Sequence, residues 1–169
     1  MKSSNSTRKL ALAGLLTAIA VVGGMFSIPI GAAKCSPVQH MVNVLAAVLL
    51  GPWYAVASAF VTSLIRNLIG TGSLLAFPGS MVGALLAGLL YQRIQRLPSA
   101  FVGEVFGTGI LGAMLSYPIA VLLMGKTSAL FAFVPSFLLN TVAGSIVAVL
   151  VICALERTSV LKTLRVSLR

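Results

Sequence analysis

Charge is what this chain has least of. Only 8% of its 169 residues are charged, and just two of those, Glu104 and Glu156, are acidic. Soluble domains carry about 25% charged residues, so a chain made mainly of water-facing surface is excluded. Cysteine is equally sparse. Cys35 and Cys153 stand at opposite ends of the chain and are expected on opposite sides of a bilayer, which argues against a disulfide; two thiols without further ligands make no metal site. No linker or low-complexity tract interrupts the sequence, so one domain spanning residues 1–169 is expected, with no soluble appendage. No internal repeat is visible, which argues against transporters built from inverted repeats. Alternation of period two is missing as well, and with it the signature of a transmembrane barrel.

What is present is apolar. Hydrophobic residues make up 59% of the chain, and the mean hydropathy is +1.08. Backbone groups inside hydrocarbon must bond within their own segment, so long apolar runs there mean helices. Six runs are legible, at about residues 10–28, 38–50, 53–69, 77–91, 100–124 and 130–155. The expected fold class is an all-α integral membrane protein of six transmembrane helices. Pro29 and Gly31 close the first run, Gly51-Pro52 the second and Gly70 the third, while Pro118 is expected to kink the fifth. The second run is short, which suggests a tilted or partly re-entrant segment. The first run, preceded by Lys2, Arg8 and Lys9, superficially resembles a secretory signal with Gly31-Ala32-Ala33 as its cleavage site. Its length and the five runs that follow favour a retained span, and Lys34 before Cys35 spoils a lipoprotein signal.

The net charge of +10 does not indicate nucleic acid, because the basic residues cap apolar runs and form no stripe interleaved with aromatics. They report orientation instead. With six spans, Lys2, Arg8, Lys9, Arg93, Arg96, Arg157, Lys162, Arg165 and Arg169 share one side, and only Lys34, Arg66 and Lys126 face the other. The positive-inside rule then places both termini in the cytoplasm.

Polar residues gather toward the outer side, in KCSPVQHMVN (34–43), RNLIGTGSLLAFPGS (66–80) and the turn at 125–128. A polar, glycine-rich mouth over an apolar bundle suits a small-molecule site. Gln39 and Asn43 share a helical face with His40 beside them, offering ligand contacts or, alternatively, helix caps and interhelical bonds. Arg66 and Glu104 are the charges nearest the hydrocarbon interior; such groups pair or face a cavity, and both an Arg66–Glu104 ion pair and ligand contact are open readings. Asn140, inside the sixth run, is interhelical glue or a pocket residue.

Two near-motifs carry no function. AVLLMGKT (120–127) approximates a phosphate-binding loop, but that motif needs a strand before it and a helix after it. His40 with Ser73 or Ser80 suggests an intramembrane serine hydrolase, yet the expected serine context is missing. No catalytic or metal-ligating set is expected. Packing signals are stronger: Gly79, Gly83 and Ala87, then Ser80, Ala84 and Gly88, recur every four residues, the spacing that lets helix backbones approach. Gly103 and Gly107, then Gly109 and Ala113, continue the theme. On the first run, Ala11, Gly14 and Ala18 form a smooth face free for a membrane partner.

The blocks CSPVQHMVNVLAAVLLGPWYAV, RNLIGTGSLLAFPGSMVGALLAGLLY and GEVFGTGILGAMLSYPIAV resemble the ThiW family, substrate-binding S components of energy-coupling-factor (ECF) transporters. The resemblance spans nearly the whole chain. It implies a multi-pass protein of a prokaryotic cell membrane that binds a thiamin-precursor thiazole, hydroxyethylthiazole, on the outer side for ATP-driven uptake. It further implies no cofactor in this chain, because a transmembrane coupling protein and two cytoplasmic ATPases would use the ATP. Gln39, His40, Asn43, Arg66, Asn67, Glu104 and Asn140 would hold the substrate, and Ala11, Gly14 and Ala18 would be the docking face. The nearest alternative is an S component for another small heterocycle.

Overall fold

The computed structural model describes residues 2–26, 28–30, 33–125, 127 and 129–158. Lys126, Ser128, Lys162, Arg165 and Arg169, which entered the loop and charge expectations, lie outside them, as do Gly31 and Ala32. Within them run six helical rods: α1 (Lys2–Gly24), α2 (Pro37–Leu50), α3 (Pro52–Leu68), α4 (Ala76–Ile94), α5 (Leu97–Leu123) and α6 (Val134–Arg157). Asn5–Gly24, Leu97–Leu123 and Val134–Arg157 are long and apolar enough to cross a bilayer, and Pro37–Leu50 is a shorter apolar helix.

The helix ends follow from backbone chemistry. Pro37 and Pro52 sit in the first turns of α2 and α3, where a missing N–H is no loss. Between these helices stands the single residue Gly51, at φ 91°, a backbone region that side chains disfavour. The first apolar run does not stay helical to residue 28 as expected. It ends at Gly24, and Ile28–Ile30 pair antiparallel with Ala33–Cys35 as two short strands, β1 and β2. Paired glycines, Gly23-Gly24, weaken helix continuation, and Pro29 cannot donate a helical hydrogen bond.

Polar and apolar surfaces are distributed as a membrane demands. Leu10, Leu15, Val22, Leu122 and Leu150 are exposed, whereas Gln39, His40, Asn43, Arg66 and Glu104 are buried. The centre of the bundle is α2, with ten of its 14 residues buried, packed against α1, α3, α4 and α6. The short second run, expected to be tilted or partly re-entrant, is the hub of the core.

Helices α4 and α5 meet backbone to backbone. The buried residues of α4 are Gly79, Ser80, Gly83, Ala84, Ala87 and Gly88, the two small-residue rows visible in the sequence. A Cβ added at Gly103 would lie 2.6 Å from the Ala87 nitrogen, one at Gly107 2.8 Å from the Gly83 Cα, and one at Gly112 2.6 Å from the Gly79 Cα. The matching steps on α4 are four and four residues, but on α5 they are four and then five. A π-helical segment at Gly107–Gly112 supplies the wider step, so a glycine still faces α4 at the third level. Pro118, expected to kink the fifth run, stands inside α5. The rod continues through it into a second π-helical turn, Ile119–Leu123, a geometry in which the helical bond proline removes is not needed in its usual register.

Candidate functional site

Five helix ends converge at one end of the bundle: the C-termini of α1 and α3 and the N-termini of α2, α4 and α6. They enclose a cavity of about 50 Å³. Ser36, Gln39 and His40 reach it from α2 and its cap, Arg66 from α3, Ala76 and Ser80 from α4, and Phe137 and Asn140 from α6; Thr71, Gly72, Ser73 and Leu75 of the α3–α4 loop close it.

Arg66 ties this end together. One Nη1 hydrogen goes to Gln39 Oε1, and Nη2 donates to the carbonyls of Gly24 (3.0 Å) and Thr71 (3.3 Å). The side chain therefore joins α1, α2 and the α3–α4 loop while being only 3% exposed. It makes no ion pair with Glu104, contrary to one reading of the sequence. Its own carbonyl accepts from the Thr71 and Gly72 amides at 2.9 and 2.8 Å, folding the loop back over the helix end. Gly72 must be small, since a Cβ there would stand 2.9 Å from the Arg66 and Asn67 backbones. Asn67 does not line the cavity. Its Nδ2 donates to the carbonyls of Ser63 (2.8 Å) and Ser73 (3.1 Å), pinning the same loop from outside.

Below Gln39 the polar network continues inward. Gln39 Nε2 donates to Ser63 Oγ at 3.1 Å, which lies 3.2 Å from Ser80 Oγ. Asn43 Nδ2 donates to the Ser80 carbonyl (3.2 Å) and to Glu104 Oε1 (3.0 Å). His40 Nδ1 lies 2.8 Å from the same carboxylate oxygen, and Thr108 donates to it at 3.0 Å. Glu104 is wholly buried and stands behind the wall. Asn140 Oδ1 accepts from the Ser36 amide at 2.8 Å, satisfying the start of α2 across the cavity.

Of the seven residues expected at the site, Gln39, His40, Arg66 and Asn140 face the cavity, Asn43 and Glu104 support it from behind, and Asn67 holds its loop. Sequence reasoning missed Ser36 and Phe137. Serine at a helix cap was a signal for Ser36; nothing distinguished Phe137 from the other apolar residues of its helix. Among the described residues no hydrogen bond joins His40 to Ser73 or Ser80. His40 is held by Glu104, and Ser80 Oγ donates to the Ala76 carbonyl at 2.7 Å, so the geometry of a serine nucleophile and its base is not formed. Within the phosphate-loop look-alike, Ala120–Leu123 form the last turn of α5, preceded by helix and not by a strand.

Away from the cavity, Ala11, Gly14 and Ala18 are exposed on α1, and a Cβ at Gly14 would meet nothing within 4 Å. Cys153 is a free, exposed thiol on α6.

A small polar-lined cavity thus lies at one end of a bundle of six helical rods, three of them long and apolar enough to cross a bilayer. A solved structure of the S component of a bacterial ECF transporter shares this fold, with a TM-score of 0.75 over 90% of this chain and 97% of the other, at 21% identity. The family model of the thiamine-precursor transporter protein, ThiW, matches residues 10–158, and the chain belongs to that family. No curated protein matches it in sequence. It is a membrane transport protein with the S-component fold.

Proposed function

We propose that this protein captures a thiamin-precursor thiazole, hydroxyethylthiazole, from the outer side of a prokaryotic cell membrane and delivers it for ATP-driven uptake. The observation that carries the reading is the lining of the cavity. Its one permanent cation, Arg66, gives three of its donors to Gln39, Gly24 and Thr71, and the rest of the lining, neutral amides, hydroxyls, one imidazole and Phe137, suits a neutral heterocycle with a polar arm. In this reading the cavity end faces outward and all six helices span the bilayer. Arg8, Arg93, Arg96 and Arg157 then lie at the opposite, cytoplasmic end. The S-component fold and the family membership support a non-catalytic subunit that works with a transmembrane coupling protein and two ATPases.

Mass spectrometry of the molecule retained by the purified protein tests the ligand. A thiazole alcohol is the expected result, and a different heterocycle would replace it while leaving the transport role intact. Replacing Gln39, His40 and Asn43 together with alanine is expected to weaken thiazole binding at least about 100-fold, since several buried hydrogen bonds are lost at once; unchanged affinity by calorimetry would move the site elsewhere.

The exposed face of α1 is the proposed docking surface for the coupling protein. Gly14→Phe or Ala18→Phe is expected to leave ligand affinity within about twofold, because neither position touches the cavity, and to abolish uptake in cells. Small-residue faces bind partner helices by close approach, which a phenyl ring prevents. Normal uptake by both variants would assign docking to another face.

A further inference from the structure

Gly79 does not line the cavity, yet it decides where one of the walls stands. A Cβ added there would lie 2.6 Å from Cε1 of Phe137, 3.3 Å from Cδ1 and 3.6 Å from Cζ. All three atoms belong to one aromatic ring, and that ring lines the cavity. The other buried glycines of α4 serve different neighbours. A Cβ at Gly83 would meet Thr108 and Glu104, and one at Gly88 would meet Pro52.

The surroundings determine what yields if the space at Gly79 is filled. Helix α4 cannot back away, because α5 presses on its other side. A Cβ at Gly112 would stand 2.6 Å from the Gly79 Cα, and Thr108 Oγ1 donates to the Gly79 carbonyl at 3.1 Å. Nor can Phe137 retreat among its apolar neighbours, since Leu75, Ala113, Ala120 and Phe133 are buried and clustered with it. Phe133 meets it edge to face, with ring centroids 6.4 Å apart. An interior packed to this density has no spare volume for a ring. The side left is the cavity. A ring displaced by about 1 Å, to ordinary contact distance, moves into the space a ligand needs.

We propose that Phe137 gauges the size of the ligand, admitting a single-ring heterocycle and refusing a fused two-ring one, and that Gly79 is the positioning residue that seats it. This rests on the cavity being the heterocycle site proposed above. Refusal is by overlap: a second fused ring brings several more atoms against a wall that packed neighbours hold in place. The polar lining selects the ligand's hydrogen-bonding pattern, and the seated phenyl selects its girth.

The test is equilibrium binding of two neutral probes to the purified protein, hydroxyethylthiazole and a benzothiazole carrying the same hydroxyethyl arm. The native protein is expected to hold the single ring at least about tenfold more tightly, and Phe137→Ala to erase that preference. Gly79→Ala is expected to weaken thiazole binding roughly tenfold to 100-fold in the native background. With Phe137 already replaced by alanine, the same change is expected to cost less than about twofold, because no ring is left to displace. A merely structural role would cost the same in both backgrounds, and that outcome removes Gly79 from the positioning role. Alanine suits a helix interior better than glycine, so Gly79→Ala is expected to fold. Should either variant not fold, the native ratio of the two probes decides. Equal binding of both probes by the native protein overturns the inference and leaves the transport reading standing. Binding of neither overturns it together with the thiazole reading on which it rests.

Discussion

Arg66→Ala is expected to abolish ligand binding and to destabilise the protein by about 3 kcal/mol. The guanidinium satisfies Gln39 Oε1 and the carbonyls of Gly24 and Thr71, acceptors on three separate elements. Removing it leaves them without that donor inside a low-dielectric bundle, and each unmatched buried acceptor costs about 1–3 kcal/mol. The loss is also geometric, because Gln39 and the Thr71–Ser73 loop define two walls of the cavity. Arg66→Lys should recover little of this, since one ammonium does not reproduce a planar fork reaching three directions. Thermal melting in detergent with and without thiazole checks both effects. A variant that melts like the native protein and still binds would mean that the outer end holds together without Arg66.

Gly103→Val carries the second large effect. A Cβ at residue 103 would stand 2.6 to 2.7 Å from the Ala87 nitrogen and Cα and the Leu86 carbonyl carbon. These are backbone atoms of a helix whose other face is packed, so no rotamer change relieves the clash, and two rods must separate. Overpacking ordinarily costs about 1–3 kcal/mol, and a backbone-to-backbone contact belongs at or above the top of that range. Loss of the monodisperse peak in size-exclusion chromatography, with a large fall in melting temperature, is the expected result. Gly14→Val is the matched control: with nothing within 4 Å of its Cβ position, it should melt within a few degrees of native.

Much of this interior was legible in the sequence because it follows local periodicity. The rows Gly79-Gly83-Ala87 and Ser80-Ala84-Gly88 are the buried residues of α4, and small residues at every fourth position of an apolar helix mark a face on which another backbone packs closely. Turns were legible where φ forces the residue, as at Gly51. The π-helical step at Gly107–Gly112 was not, because it is set by the register of a neighbouring helix and leaves no mark of its own on α5. The β1–β2 pairing was hidden by apolar residues that read as more helix.

The site was half legible for a related reason. Clustering in the chain put Gln39, His40 and Asn43 together and pointed to the 66–80 segment. Which buried charges pair was decided by tertiary contact: α5 presents Glu104 to His40 and Asn43, while Arg66 lies beside Gln39 and the end of α1. Charge alone suggested joining Arg66 to Glu104, since nothing in one dimension says that two helix faces point apart. Phe137 stayed invisible because an aromatic wall and an aromatic lipid contact look alike before folding.

The loop over the cavity makes entry and affinity separable. Thr71, Gly72 and Ser73 line the cavity, and Arg66 and Asn67 hold that loop through the Thr71 and Ser73 carbonyls. If entry requires the loop to lift, measured affinity equals the open form's intrinsic affinity multiplied by its fractional population, and association at high ligand concentration levels off at the lifting rate. A substitution that merely relaxes the Thr71–Ser73 loop should then raise that plateau without adding a single contact to the ligand.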